Sequence, residues 1–381
     1  MNDLSYMTAI RRQLHRYPET GFDLPQTVAF VKGELDKLGI SYTESYCRSS
    51  LVATIDPGKK PYTVALRADM DALPIFEKND SEYRSQHEGK MHACGHDAHT
   101  AMLLGAAKKL MSRLDELECR VKLIFQPSEE GMATGAKVMV ENGVMDDVDF
   151  ILGEHVDNRM DVGAMSIGAG AMYASNNVFE IVMTGLSAHA SQPEKGIDAV
   201  GMAVDCYARL REMVKNEVDE NEKKVLNIGI FEGGTAVNSV PCLAKMTCTL
   251  RTYKNEVADY IMKRVCDITS EVARNWGGSG EVKRIKDLPC VMNDASYVEK
   301  IRKIGEGVFH HVLPEYGRMG SEDFACYQSK KPGVMYTIGS GNQAKGIVKP
   351  LHSDEFDLDE TVLEYGASML SEAAIALGKD A

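Results

Sequence analysis

One short segment concentrates side chains that bind metals or move protons. Residues 92–99, HACGHDAH, hold three histidines, a cysteine and an aspartate. A thiolate and an imidazole both bind transition metals well, and the glycine between Cys94 and His96 permits a tight turn that directs its two neighbours at one centre. The spacing indicates a metal site. A helix entry with a buried cysteine and surface histidines is the alternative for this segment taken alone.

A pair of adjacent carboxylates, Glu129 and Glu130, follows an apolar strand pattern in IFQPSEEG. In an α/β sheet, the loops at the carboxyl ends of the strands line the ligand crevice. Two adjacent carboxylates repel each other unless a metal neutralises one and proton exchange neutralises the other. The pair therefore predicts a division of labour, in which one carboxylate binds metal and the other accepts a proton from water. A solvated acidic turn is the alternative.

Two further histidines occupy similar places. His155 ends the apolar run in LGEHV, and His352 lies in PLHSDEF near the C-terminus. A single loop histidine is usually a surface residue, but these fall at strand-to-loop junctions like those above. Together the junctions supply five sulfur, nitrogen and oxygen ligands, a set that suits two metal ions sharing one ligand: Cys94, His96, Glu130, His155 and His352.

The elements that must position these residues alternate between strands and helices. Residues 4–16 and 25–38 have helical periodicity, and 97–114 read as a helix with Asp97 near its start. Apolar runs between the helices read as buried strands, one of which ends at Pro127. The alternation predicts an α/β fold with a mainly parallel sheet covered on both faces.

The order changes near residue 176. From there the pattern is β-α-β-β-α-β, the arrangement of a ferredoxin-like domain of about 110 residues. We therefore predict a discontinuous catalytic domain over residues 1–175 and 288–381, interrupted by an inserted α+β domain over 176–287.

Composition excludes several classes of partner. The 381 residues carry a formal net charge of −13, which argues against nucleic acid and anionic membranes. No apolar run approaches the roughly 20 residues that span a bilayer, and the N-terminal segment reads as an amphipathic helix rather than a signal peptide. The nine cysteines are scattered without a CxxC pair, which favours a reducing, cytoplasmic location.

Eight ordered motifs, spread almost from end to end, resemble one family. The sequence resembles the M20-type metallo-aminoacylases and carboxypeptidases, and more narrowly the amidohydrolase branch of hippurate hydrolases, N-acetyl-diaminopimelate deacetylases and plant auxin-conjugate hydrolases. The motifs are LHRYPETGF, ALRADMDALPI, GKMHACGHDAHTA, FQPSEEG, GLSAHASQP, GGTAVNSVP, GSEDFA and LHSDEF. The resemblance implies a metallo-exopeptidase-like catalytic domain whose inserted domain serves as a lid and dimerises.

The resemblance also implies a ligand set. Cys94 takes the bridging place that aspartate fills in other branches, His96 and His155 complete one metal, and Glu130 and His352 complete the other. The ions are Zn, Mn, Co or Ni. Arg67 stands where other branches have a metal-binding histidine, which supports the Cys/His variant of the site.

Other roles are implied in the same way. Glu129 is the general base, and Asp69 is a carboxylate that keeps a ligand in orientation. His189 crosses a dimer interface to stabilise the oxyanion, while Asn238 and Arg251 contact the substrate, including its carboxylate.

Some motif positions have no implied ligand role. Glu154 stands where an apolar residue is expected, and its charge either shapes the pocket or faces solvent. His92, His99 and Glu322 are interpreted as structural.

The function these inferences favour is metal-dependent hydrolysis of N-acyl amino acids to a carboxylic acid and a free amino acid, by a cytoplasmic homodimer. A dipeptidase or carboxypeptidase of the same clan is one alternative. A non-catalytic metal-binding protein on the same fold is the other, and the presence of Glu129 disfavours it.

Overall fold

The computed structural model describes residues 2–381, and the chain divides into two compact units. The first unit comprises the residues up to Met172, Met292–Tyr316 and Asp323–Ala381. The second comprises Tyr173–Val291 together with the short segment Gly317–Glu322. The first unit is therefore discontinuous in sequence, and the second is inserted into it.

Nine α-helices, numbered in chain order, are found among these residues. They are α1 Asp3–Arg16, α2 Pro25–Leu38, α3 His96–Ser112, α4 Gly135–Glu141, α5 Ala199–Glu217, α6 Asn255–Trp276, α7 Ala295–Glu306, α8 Ala325–Gln328 and α9 Val362–Asp380. Within residues 2–381, no helix combines the length and the apolar character that a bilayer crossing requires.

Fourteen strands lie between the helices of the described chain. They are β1 Tyr42–Thr43, β2 Leu51–Ile55, β3 Thr63–Asp69, β4 Arg120–Gln126, β5 Phe150–Asp161, β6 Ala164–Ile167, β7 Gly170–Tyr173, β8 Asn176–Thr184, β9 Lys224–Gly233, β10 Leu243–Thr252, β11 Ser279–Leu288, β12 Val291–Asn293, β13 His311–Pro314 and β14 Gly333–Gly341.

Local chemistry explains several helix ends. The Asn2 side chain accepts a hydrogen bond from the Ser5 amide and caps α1. Pro25 opens α2, where a missing amide hydrogen costs nothing, and Gly39 ends it in the left-handed conformation. Asp198 caps α5 in the inserted unit.

The first unit is built on an eight-stranded sheet in the order β1-β2-β4-β3-β5-β14-β6-β13. Its four central strands run parallel, as the sequence predicts. The flanks contain antiparallel pairs that the sequence analysis did not anticipate: β1 with β2, β2 with β4, and β6 with β14. A turn of two residues joins β5 to β6, which reverses the chain without a crossover helix.

The central strands bring two functional segments to the same edge of the sheet. Asp69, the last residue of β3, is in register with Gln126, the last residue of β4. The loops that follow these two strands therefore begin side by side, at the carboxyl ends of parallel strands.

Helix α3 is buried along most of its length between the sheet and other helices. Gly105 allows α1 to pack closely against α3, because a Cβ atom at this position would lie 2.2 Å from the sulfur of Met7. Alanines and leucines fill the remaining positions, and each fully buried leucine contributes about 1.5–3 kcal/mol. The helix that begins with His96 is thus fixed firmly in the core.

The inserted unit has the β-α-β-β-α-β order predicted for a ferredoxin-like domain. Its four-stranded sheet has the order β11-β8-β10-β9, and every neighbouring pair is antiparallel. Helices α5 and α6 pack on each other and on the sheet around buried residues that include Met202, Cys206 and Val265. The predicted α/β fold with an inserted α+β domain is confirmed.

Candidate metal centre

The turn before α3 places a thiol and an imidazole side by side. Gly95 has φ 81°, a left-handed conformation, and a Cβ atom there would lie 2.4 Å from Val156 Cγ2. Only glycine meets both conditions without strain. The close approach to β5 brings Cys94 Sγ within 3.5 Å of His155 Nε2.

Two histidines direct their Nε2 atoms at this centre. His96 Nδ1 lies 2.8 Å from the Asp71 carbonyl oxygen, and His155 Nδ1 lies 2.7 Å from that of Val156. A carbonyl only accepts, so Nδ1 donates in both rings and Nε2 is left facing the cluster. His96 Nε2 is buried without a hydrogen-bond partner, and a metal ion would satisfy it.

The turn after β4 delivers the carboxylates. The Asp71 carboxylate accepts the amide hydrogens of Glu129, at 2.9 Å, and Glu130, at 3.2 Å. Glu130 Oε1 is buried without a hydrogen bond, although it lies 3.3 Å from His352 Nε2. Asp71, itself buried, thus fixes the backbone of both predicted carboxylates.

His352 reaches the cluster from a loop near the C-terminus. Its φ of 66° is unusual for a residue with a side chain. Its amide donates to the Ala93 carbonyl at 2.8 Å, which ties this loop to the segment that carries Cys94. The imidazole itself is half exposed.

The structure brings all five predicted ligands and the predicted base together. Their side-chain atoms form overlapping groups in which every atom lies within 4.8 Å of the others: Cys94 with His96 and His155, Cys94 with Glu130 and His352, and His96 with Glu129 and Glu130. Cys94 belongs to two of these groups, as a bridging ligand must. The donor types and the two unsatisfied buried atoms, His96 Nε2 and Glu130 Oε1, fit divalent cations.

Electrostatics in the cluster favour an added positive charge. Burial raises the pKa of the Cys94 thiol well above its usual range, and the nearby Glu130 carboxylate raises it further. Burial and the neighbouring His99 lower the pKa of His155 to about 3, so this imidazole stays neutral and available. A divalent cation would offset the charge that a thiolate and a carboxylate accumulate here.

Asp69 lies beside one predicted ligand, with Oδ2 3.6 Å from His96 Nε2, and is linked indirectly to another, His155. One carboxylate oxygen accepts from His99 Nδ1 at 2.6 Å, and the other accepts from Arg67 Nη1 at 2.6 Å. His99 Nε2 in turn accepts the Val156 amide hydrogen at 3.1 Å. Since the Val156 carbonyl orients His155, the carboxylate is linked to that ligand through His99 and the backbone of Val156.

Sequence reasoning left two residues without a role at this centre. Asp71 belongs to the quoted motif ALRADMDALPI, where Asp69 alone was given a role. His99 was interpreted as structural, yet both of its ring nitrogens are used within the site. A signal was present for each: His99 follows His96 by three residues, on one helix face, and Asp71 follows Asp69 by two.

Glu154 does not face solvent. It is buried on β5, and its Oε2 accepts from the Tyr336 hydroxyl at 2.6 Å. Burial raises the pKa of Glu154 to about 8. The alternative in which this charge faces solvent was wrong, because the side chain is buried on a central strand of the sheet.

The inserted unit holds the other predicted residues. His189 is exposed, with Nδ1 2.7 Å from the Ser191 hydroxyl. Asn238 is also exposed and lies beside it, since the Ala190 amide donates to the Asn238 carbonyl at 3.0 Å. Arg251, on β10, is half buried and donates from Nη1 to the Met319 carbonyl at 2.7 Å.

The fold and this cluster define a two-domain, metal-dependent hydrolase. The chain belongs to peptidase family M20/M25/M40, which it matches over residues 65–376. It is therefore an amidohydrolase or peptidase of that family.

Three relatives and one solved structure show how wide the similarity is. The chain is 36% identical to IAA-amino acid hydrolase ILR1-like 4 of Arabidopsis thaliana, over 96% of this chain and 84% of the relative. It is 35% identical to thermostable carboxypeptidase 1 of Saccharolobus solfataricus, over 98% and 95%. It is 32% identical to N-acetyl-L-cysteine deacetylase of Bacillus subtilis, over 97% and 87%.

The solved structure is the YXEP protein of Bacillus subtilis, a dinuclear metal-binding peptidase of the M20 family. It superposes with a TM-score of 0.85 at 30% identity, and the match covers 99% of each chain.

Proposed function

We propose that this enzyme hydrolyses the amide bond of N-acyl amino acids, giving a carboxylic acid and a free amino acid. The observation that carries the proposal is the buried cluster in which Cys94 belongs to two ligand groups and Glu129 lies in a third. Relatives named for amino acid conjugates and N-acetylcysteine support the substrate class.

The site holds two divalent cations in this proposal. Cys94, His96 and His155 would hold one ion, and Cys94, Glu130 and His352 would hold the other. The ions supply Lewis acidity at the amide carbonyl and lower the pKa of water. Zn, Mn, Co and Ni all accept such mixed ligands, so availability decides among them. The dinuclear site of the YXEP protein supports the count of two.

Glu129 moves the proton. It accepts a hydrogen ion from the water that attacks the amide carbon, and it gives that ion to the leaving nitrogen as the carbon–nitrogen bond breaks. Its backbone is fixed by Asp71, so its carboxylate approaches from a rigid turn. The hydroxide of the water joins the acyl carbon and its proton joins the leaving nitrogen. Glu129 therefore ends the reaction as an unprotonated carboxylate, as it began.

Residues of the inserted unit act on the substrate. His189 donates a hydrogen bond to the developing oxyanion. Arg251 pairs with the carboxylate of the amino acid, a geometry that suits a guanidinium group, and Asn238 contacts the same substrate. The adjacency of His189 and Asn238 on neighbouring loops supports a joint role for these two.

The inserted unit also forms a homodimer, in which His189 serves the site of the partner copy. Strand β9 ends the four-stranded sheet, and so one of its edges has no neighbouring strand among residues 2–381. Ile230, Phe231 and Leu243 are exposed at 42–53% on this strand and its neighbour β10. An exposed apolar edge strand is a ready surface for pairing with a second copy.

Complementation between two inactive variants tests the dimer. Glu129→Gln disables the base of its own site, and His189→Ala disables the oxyanion donor of the other. Mixed dimers of the two variants regain one intact site, so random exchange should restore about a quarter of wild-type activity. No recovery, with exchange verified by a tag, would place His189 in its own chain's site.

A location in the cytoplasm completes the proposal. All nine cysteines are free, including exposed Cys242 and Cys266, and free exposed thiols suit a reducing compartment.

A carboxypeptidase or dipeptidase activity is the second candidate, favoured by the similarity to thermostable carboxypeptidase 1. A substrate panel separates the two. Free-amine release is measured from N-acetyl, N-benzoyl and N-succinyl amino acids and from several dipeptides, with metal-stripped enzyme and after adding Zn²⁺, Mn²⁺ or Co²⁺. Metal-dependent release from the acylated amino acids supports the proposal, whereas release from dipeptides alone moves the assignment to peptidase.

A further inference from the structure

His352 stands on a loop that has little core of its own. Between Lys349 and Asp357 most side chains are exposed or half exposed, and His352 itself is 52% exposed. The other proposed ligands are buried or sit on turns held by buried groups. A metal ligand on a surface loop binds well only if the ends of that loop are fixed.

One side chain joins both ends of this loop. The Asn158 amide nitrogen donates to the Lys349 carbonyl at 2.8 Å and to the Asp357 carbonyl at 2.7 Å. Its amide oxygen accepts from the Ser340 hydroxyl at 2.7 Å. Two carbonyls and a donor hydroxyl around one amide fix its orientation, because carbonyls only accept.

Asn158 is also placed to couple the loop to the rest of the centre. It lies on β5, three residues after His155, and is buried. The strand that supplies one ligand thus anchors the loop that supplies another. Other groups hold the loop at single points: the His352 amide donates to Ala93, the Lys78 amide to Asp354 and Asn79 Nδ2 to the Phe356 carbonyl, while Arg11 and Tyr83 bind the Asp357 side chain. Each of these contacts reaches one part of the loop, whereas Asn158 contacts both of its ends.

We propose that Asn158 is the positioning residue for His352, and that it sets the affinity of the ion held by Glu130 and His352. The inference rests on the two-ion site proposed above. Other side chains fail at this position for simple reasons: alanine supplies no donor, and aspartate would oppose an anionic oxygen to two carbonyls.

Substitution should therefore weaken one ion and spare the other. Asn158→Ala and Asn158→Asp are expected to lower the affinity of the second ion about 10- to 100-fold, the usual effect of removing a group that orients a ligand. The ion held by His96 and His155 should keep its affinity.

The experiment is a competition titration of metal-stripped, full-length enzyme with Zn²⁺ against a chromophoric chelator, followed by metal analysis. His352→Ala provides the reference for loss of the second ion. Ser340→Ala is the matched control: it leaves the buried Asn158 oxygen without its donor, and so lowers stability, yet it keeps both contacts to the loop. Its second-ion affinity should change by less than about threefold.

Excess metal provides the readout that a general loss of stability would not give. Saturating Zn²⁺ should restore the bound second ion, and with it the turnover, in both Asn158 variants but not in His352→Ala. The inference is overturned if the Asn158 variants bind both ions as the wild type does, or if they lose both ions together with a fall in melting temperature. If His352→Ala also retains both ions, the proposed ligand set is what fails.

Discussion

The two units hold their candidate residues in opposite ways. In the first unit, Cys94, His96 and His155 are buried, and hydrogen bonds fix their rings and backbone. In the inserted unit, His189 and Asn238 are exposed on adjoining loops. The ligands of the first unit are held in place by that unit, whereas the residues of the inserted unit are accessible to a substrate or to a second copy of the chain.

This difference follows from what each set must do. Metal ligands need fixed geometry before the ion arrives, so burial and oriented carbonyls serve them. Groups that contact a substrate or a second copy must stay accessible until that partner binds. The contrast predicts that the first set governs metal affinity and the second governs turnover at unchanged metal content.

The largest expected effect comes from the base. Glu129→Gln should lower kcat by about 10²- to 10⁴-fold, because it removes proton transfer and little else. Metal content and melting temperature should stay at wild-type values. Glu130→Gln is the matched control, and it should lose one ion. Near-normal turnover in the Glu129 variant, measured with metal bound, would contradict the assignment of the base.

The inserted unit provides the next effect. His189→Ala should lower kcat by about 10²- to 10³-fold, the loss expected for one oxyanion donor. Because this histidine lies outside the ligand cluster, the two ions should bind with unchanged affinity. Loss of metal from this variant would contradict the prediction that residues of the inserted unit govern turnover and not metal affinity.

A smaller effect should come from the hydrogen-bond chain behind His155. His99→Ala should weaken the ion held by His96 and His155 about 10- to 100-fold, since it cuts the link from Asp69 to the Val156 amide. Thr100→Val is the control, because it removes only a hydrogen bond to the Asp69 carbonyl. Equal metal affinity in the two variants would show that the chain through His99 has no role.

The smallest effect concerns stability away from the ligands. Burial opposes ionisation of Asp359, yet hydrogen bonds from Lys345, Asn342 and Thr361 prevail and lower its pKa from 3.8 to about 2. A lowered native pKa stabilises the fold above the unfolded pKa, and this stabilisation is lost as pH falls toward 2. Asp359→Asn should therefore reduce the free energy of unfolding by about 1–2 kcal/mol at pH 7.

Denaturant-induced unfolding at several pH values measures how much the Asp359 charge contributes to the free energy of unfolding. The difference between wild type and Asp359→Asn should shrink between pH 4 and pH 2, while metal affinity at pH 7 stays the same. A difference that does not change with pH would mean that the carboxylate's charge is not what stabilises this corner.

Much of the fold could be predicted because local signals agree with the tertiary structure. Pro25 and Gly39 bound α2, and the periodicity between them places the same helix. The inserted unit can be predicted from the order of its strands and helices, because few compact topologies are compatible with that order. The antiparallel flanks of the large sheet carry no such local signal, since the pairing of a short strand depends on distant partners.

The ligand-bearing motifs are visible in sequence because each combines an unusual residue set with a strand end. The residues that hold these motifs in place are not visible in the sequence in the same way. Asn158 contacts residues 191 and 199 positions away, and no periodicity links such distant groups. The same holds for Glu154, whose burial depends on helices packed over β5.

The most direct test is a metal titration of the stripped enzyme, following hydrolysis of an N-acyl amino acid identified in the substrate panel. We expect negligible activity without metal and a rise that levels off once two divalent ions are bound per chain. Full activity in chelator, or no activity with any acyl substrate after two ions are bound, would contradict it.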